Sequence, residues 1–212
     1  MPTRRAVLSV AVLAAALAAP STAEAANACR AHAEHSKVLA QSNTALVYAK
    51  GPRFKHYVSA CTFKGQKSYR LPGQDGGDTH KFLMPRLNGR YLAYSIFNQE
   101  EASPTATSTV YSVDLGTRRK LIEDFAGGSA AVSDESTTDV RALVVGKKGS
   151  VAWINESINL DVKFSVRAKA PGKKQVLLDE GNDIGVRSLA LADNNAAFYW
   201  TRAGQANAST LP

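Results

Sequence analysis

The chain has 212 residues, 44% hydrophobic and 21% charged, with 26 Lys and Arg against 18 Asp and Glu for a net charge of +8. That apolar fraction excludes a disordered chain, and the length allows one ordinary domain or two small ones with a sizeable core. Two cysteines exclude a disulfide-dense miniprotein and a four-cysteine zinc site.

The first predicted element is an export signal. Arg4 and Arg5 precede an unbroken apolar stretch, Ala6 to Ala19, which ends at Pro20 and leads into Ala23-Glu24-Ala25, an A-x-A cleavage pattern. Ala26-Asn27-Ala28 offers a second cleavage position. The apolar stretch is too short to cross a bilayer comfortably, so no membrane span is expected in the mature chain. The residues before Cys29 lack the leucine of a lipoprotein site, and Thr3 to Leu8 partly resembles a twin-arginine signal. Cutting after Ala25 leaves a secreted chain, extracellular or in the cell envelope, of net charge +7. A polar arm, 26–36, follows, with one or two helical turns near Cys29–Lys37. In an oxidising compartment the even pair Cys29 and Cys61 reads as a disulfide, with two free thiols as the alternative. Such a bridge is worth about 3–4 kcal/mol in the chain-entropy model.

From residue 37 the chain repeats. Four segments share a short apolar strand, a turn and a longer apolar strand ending in an aromatic. They run from Lys37 to Tyr48, Phe82 to Tyr94, Ala142 to Trp153 and Ser188 to Trp200. Their turns, Ser42-Asn43, Asn88-Gly89, Lys148-Gly149 and Asn194-Asn195, use residue types that tolerate tight hairpins. The aromatics stand 46, 59 and 47 residues apart, a period near 46 with one insertion. Most of that insertion is the polar stretch Ala126–Thr138, which reads as an exposed loop.

Three units continue with a third strand, a basic turn and a fourth strand. The strands are Tyr57–Phe63 with Tyr69–Leu71, Val110–Leu115 with Lys120–Ile122, and Phe164–Val166 with Gln175–Leu178. The fourth unit offers only Ala208–Leu211 as a short third strand. The units span 37–72, 79–125, 138–180 and 186–212. Tyr91 to Phe97 is apolar on both faces and needs cover on both sides, as in stacked sheets. Tyr111, Val113 and Leu115 alternate with Ser112 and Asp114, as suits a strand with one less buried face. The expectation is an all-β domain over 37–212 of four four-stranded antiparallel meanders, the size of β-propeller blades.

The second unit carries a family resemblance. Asn88-Gly89-Arg90-Tyr91-Leu92-Ala93-Tyr94, then Val110-Tyr111-Ser112-Val113-Asp114-Leu115-Gly116-Thr117-Arg118-Arg119-Lys120-Leu121, resembles a blade of TolB-type and related WD-like propellers. Pro85-Arg86-Leu87 stands where that family commonly has Ser-Pro-Asp. The resemblance implies a small or partial β-propeller. A closed or nearly closed monomer is expected, with an N-terminal strand completing the last unit. An open half that dimerises to protect its edges, and a sandwich of stacked meanders, are the alternatives.

Chemistry-bearing motifs are sparse. The chain has no G-x-S-x-G elbow, no H-E-x-x-H and no phosphate-binding glycine loop, so no catalytic residue, metal or cofactor is assigned. His32 and His35 flank Glu34 and read as solvated, and His56 and His80 stand alone. Asp75, Gly77 and Thr79 partly resemble an Asp-box, a structural turn that could hold Ca²⁺ loosely. Glu100-Glu101, Asp134-Glu135 and Asp179-Glu180 read as solvated loop charge, because adjacent acids do not face each other across a bond.

The cations are better organised. Lys64 and Lys67, then Arg118, Arg119 and Lys120, then Lys173 and Lys174, occupy the same turn in three successive units. Symmetry would place them as a positive band that could meet anionic envelope polymers, acidic glycans or lipid headgroups, with a protein partner as the other possibility. Nucleic acid is not expected, since basic and aromatic residues do not interleave. The function expected is a secreted, non-enzymatic binding module. The alternatives are a hydrolase or lyase with acids, Tyr and Arg converging at the propeller centre, and a structural or sensor module that oligomerises.

Overall fold

Alternating apolar strands and tight turns give a chain that folds back on itself every few residues. The computed structural model describes residues 22–51, 57–74, 80–99, 106–127, 137–158, 161–193 and 195–210. Strands β1 (Lys37–Gln41), β2 (Ala45–Lys50), β3 (Tyr57–Thr62) and β4 (Ser68–Arg70) form the first antiparallel sheet. The second holds β5 (His80–Asn88), β6 (Tyr91–Gln99), β7 (Ala106–Asp114) and β8 (Arg119–Phe125). The third holds β9 (Thr137–Val145), β10 (Val151–Ile158), β11 (Val162–Lys169) and β12 (Val176–Gly181). The fourth has β13 (Ala190–Leu191), β14 (Ala197–Arg202) and β15 (Gln205–Thr210).

Each sheet is a meander in sequence order, and the second and third touch through one parallel bridge, Ala106 to Thr137. The chain is all-β with four antiparallel units, and no described strand of the fourth unit pairs with the first. It is therefore a partial propeller. Within Phe82–Ile122 every described element is a strand or turn, and β6 pairs β7 over its whole length.

The repeat aromatics explain the stacking. Tyr48, Tyr94 and Trp153 are fully buried and Trp200 is nearly so. Tyr94 packs with residues of the first sheet, Trp153 with the second and Trp200 with the third. Each carries a polar tip that must find a partner once buried. Tyr94 Oη donates to Pro72 O at 2.9 Å, Trp153 Nε1 to Ala126 O at 2.9 Å, and Trp200 Nε1 to Asp179 Oδ2 at 2.9 Å. All three acceptors lie in or just after the fourth strand of the preceding unit. The aromatic is thus a latch that fixes each sheet to the one before it.

Tyr48 has no preceding sheet. It packs instead against a helix, α1 (Thr22–His32), in a cluster of Leu46 and Cys61 with Cys29 and Ala33. Cys29 and Ala33 are four residues apart and so fall on one side of the helical path. Cys29 and Cys61 form the disulfide, with their Cα atoms 5.7 Å apart. The helix takes the place of a neighbouring sheet on the outer face of the first unit.

The structure corrects several expectations. The helix runs over Thr22–His32, earlier than Cys29–Lys37, and spans both expected cleavage positions, while residues 1–21 with the signal's charged and apolar parts lie outside the described residues. The first described element is this helix, and no N-terminal strand completes the last unit among the described residues. The third strand of the fourth unit starts at Gln205, ahead of Ala208. The stretch Ala126–Thr138 is not exposed at its ends: Ala126 and Thr138 are buried against Trp153 and the sheets, and 128–136 lie outside the described residues. Pro85 falls at a bulge of β5, where the register shifts between Leu83 and Arg86 and a missing N–H does no harm.

Candidate anionic-ligand surface

The first turns of the four units converge at one end. Asn88 Nδ2 donates to Val145 O at 3.1 Å and to Asn195 Oδ1 at 3.0 Å, joining the second unit to the third and fourth. Ser42 Oγ of the first unit donates to Gly89 O at 3.1 Å. Gly89, Lys148 and Asn195 all have positive φ, which the tight turns require. Strand β5 contacts β1 and β9, and β9 contacts β13, so first strands line the inner side of the arc.

The basic turns lie at this same end. In the first unit Phe63 N donates to Thr44 O at 2.9 Å, and in the second Leu115 N donates to Arg90 O at 2.9 Å, so each third-to-fourth turn sits beside the first turn of its sheet. In the third, Lys169 pairs with Val151 and places the Pro171–Lys174 turn beside Ser150. Local chemistry shapes each turn. Asp114 Oδ1 accepts from Gly116 N at 2.9 Å while Arg90 pairs with Asp114 Oδ2 at 3.0 Å. Arg118 and Gly172 take positive φ.

Lys64, Lys67, Arg118, Arg119, Lys120, Lys173 and Lys174 are all exposed. Lys120 pairs with Glu123, and Arg118 lies over the Tyr69 ring with its guanidinium carbon 5.4 Å from the centroid. Burial pushes the Tyr69 phenol up, against the pull of Arg118, so this ring is an uncharged platform. Lys64, Lys67, Arg119, Lys173 and Lys174 form no ion pair among the described residues. Arg118 over Tyr69 brings the second turn against the first unit. Lys169, at the end of β11 before the third turn, pairs with Asp124 at 2.6 Å, near the end of β8 away from the second basic turn.

Other sequence candidates fall elsewhere. His32 Nε2 lies 3.1 Å from Gln66 O, and His35 pairs with Glu34 at 3.8 Å on the surface. No group of three His, Cys, Asp or Glu among the described residues could hold a metal. His56, Asp75, Gly77, Thr79, Glu100, Glu101, Asp134 and Glu135 lie outside the described residues. Asp179 is not solvated loop charge: its side chain is 12% exposed and holds Trp200, with Arg202 Nη1 on Oδ1 at 2.6 Å.

Sequence reasoning also missed an acid pair at the opposite end. Asp139 and Glu156 are cross-strand partners in β9 and β10, and Arg141 bridges them, 3.0 Å from Asp139 and in contact with Glu156. Burial pushes the Asp139 carboxyl up, with Arg141 pulling the other way. Seventeen residues separate the two acids, so only strand register unites them.

No protein-family model matches the chain, and no curated protein matches it. No helix among the described residues is long and apolar enough to cross a membrane.

Proposed function

We propose that this is an exported, non-enzymatic binding module that docks a linear anionic polymer across the basic turns of its first three units. The observation that supports it is the repetition: seven exposed cations in or beside one turn type, six of them without an ion pair among the described residues. A polymer that spans several turns gains from each, at about 1 kcal/mol per cation near an anionic surface. The disulfide and the charged, apolar, small-residue order of the N-terminus support action outside the cytosol. Kinship with TolB-type and WD-like blades is part of the same proposal, supported by the meander and by Asp114-Leu115 before the basic turn.

The acid pair favours a second reading, a hydrolase site near the inner strands. Arg141 engages both carboxylates, which leaves neither poised as a free acid or base, so binding is preferred. The test is retention on immobilised polyphosphate and polyglutamate beside a neutral dextran. The wild type should be retained on the polyanions alone. Arg118→Gln, Arg119→Gln and Lys120→Gln together should weaken binding by on the order of tenfold or more. Unchanged retention overturns the proposal.

A further inference from the structure

The outer strands of the four units differ in how they meet solvent. An edge strand exposes unpaired N–H and C=O groups and invites pairing unless charge or brevity blunts it. β4 is three residues long and ends in Arg70. β8 carries Arg119, Lys120, Glu123 and Asp124, and β12 carries Asp179 and Glu180. β15, Gln205-Ala206-Asn207-Ala208-Ser209-Thr210, has no charge and no proline, in a chain of net charge +8. No described strand pairs with its free side. Its side chains alternate: Asn207 and Ser209 stand opposite Trp200 and Phe198, while Ala206, Ala208 and Thr210 are exposed on the other face. Tyr199, 44% exposed, stands opposite Ala208 and extends that uncharged face inward.

We propose that β15 pairs antiparallel with β15 of a second copy about a two-fold axis, joining two three-stranded sheets into one of six strands. Two-fold symmetry sets the strand against itself, so its lack of charge removes the repulsion that like charges directly opposite would bring. The edges β4, β8 and β12 of a second copy are worse partners, because each would set charged side chains against β15.

Sedimentation velocity of the full chain over a concentration series should show a reversible dimer. Ala206→Lys with Ala208→Lys should weaken it by about tenfold, since like charges would then face across the axis. A copy with Ala208→Lys mixed with a copy with Ala208→Glu should recover the dimer, which a misfolded variant could not do. Val176→Lys with Leu177→Lys, at exposed positions of β12, should leave it intact. A monomer throughout, loss of the dimer with the β12 pair, or no recovery on mixing overturns the proposal.

Discussion

The two ends of the sheet stack meet solvent in opposite ways. At the first unit, α1 covers the outer face, Leu46 and Tyr48 are buried beneath it, and a disulfide pins it down. At the fourth unit no described element covers the outer face, Tyr199 is exposed and β15 is the last described strand of the sheet. A stack of like units needs a cap wherever a hydrophobic face would otherwise remain open. The first unit has bulky residues on that face and a helix over them. The fourth has Ala, Thr and a single Tyr there, so it loses little by staying open. The difference teaches that side-chain size at the end face, as much as the repeat, decides whether an end must be sealed.

Removing the seal should have the largest effect. Cys29→Ser with Cys61→Ser should cost about 3–4 kcal/mol in denaturant unfolding, and no thiol of the wild type should react with an alkylating agent before reduction. Leu46→Ala should cost about 2–5 kcal/mol, because the cavity opens between α1 and the first sheet. The matching change at the bare end, Tyr199→Ala, should stay within about 1 kcal/mol. Equal losses at the two ends would break the comparison.

The latch at the open end should weigh less than the seal. Asp179→Ala leaves the Trp200 N–H without its acceptor and Arg202 with Asp183 alone, at a cost of about 1–3 kcal/mol. Indole fluorescence should report a loosened Trp200 while Trp153, latched to Ala126 O, stays unchanged. An unperturbed spectrum would show that the latch carries no load.

The smallest effect is in pH. Burial raises the Asp139 carboxyl above its ordinary value of 3.8, so the folded state holds that proton more tightly than the unfolded state. Its contribution is then most favourable at low pH and declines as pH rises from 3.8 through the raised value, staying level above it. Stability of the wild type relative to Asp139→Asn should fall over that interval. A relative gain with rising pH would contradict the burial argument.

Much of the fold was legible because its signals are local. Tyr91 to Phe97, apolar on both faces, foretold sheets on both sides, and Asn88-Gly89 foretold a hairpin. The disulfide followed from two cysteines and an export signal. The start of β15 was hidden because its open face needs no apolar alternation: Gln205 to Ala208 is a strand through pairing with β14, not through its own pattern. The helix was hidden because Ala-rich residues 22–32 double as a cleavage pattern. Asp179 looked like loop charge since its partner, Trp200, is 21 residues away in the next unit. The basic turns were visible as residues, but the Tyr69 platform under Arg118 depends on how two units dock.

The most direct test of the binding account is the salt dependence of affinity for polyphosphate, with cations neutralised one unit at a time. Each bound cation releases counterions and steepens that dependence. Lys64→Gln with Lys67→Gln, Arg118→Gln with Arg119→Gln, and Lys173→Gln with Lys174→Gln should each flatten the slope by a similar step. Lys163→Gln with Arg187→Gln, exposed but away from those turns, should leave it unchanged. Slopes that ignore the turn variants, or that fall equally with the control pair, would contradict a band built from repeated turns.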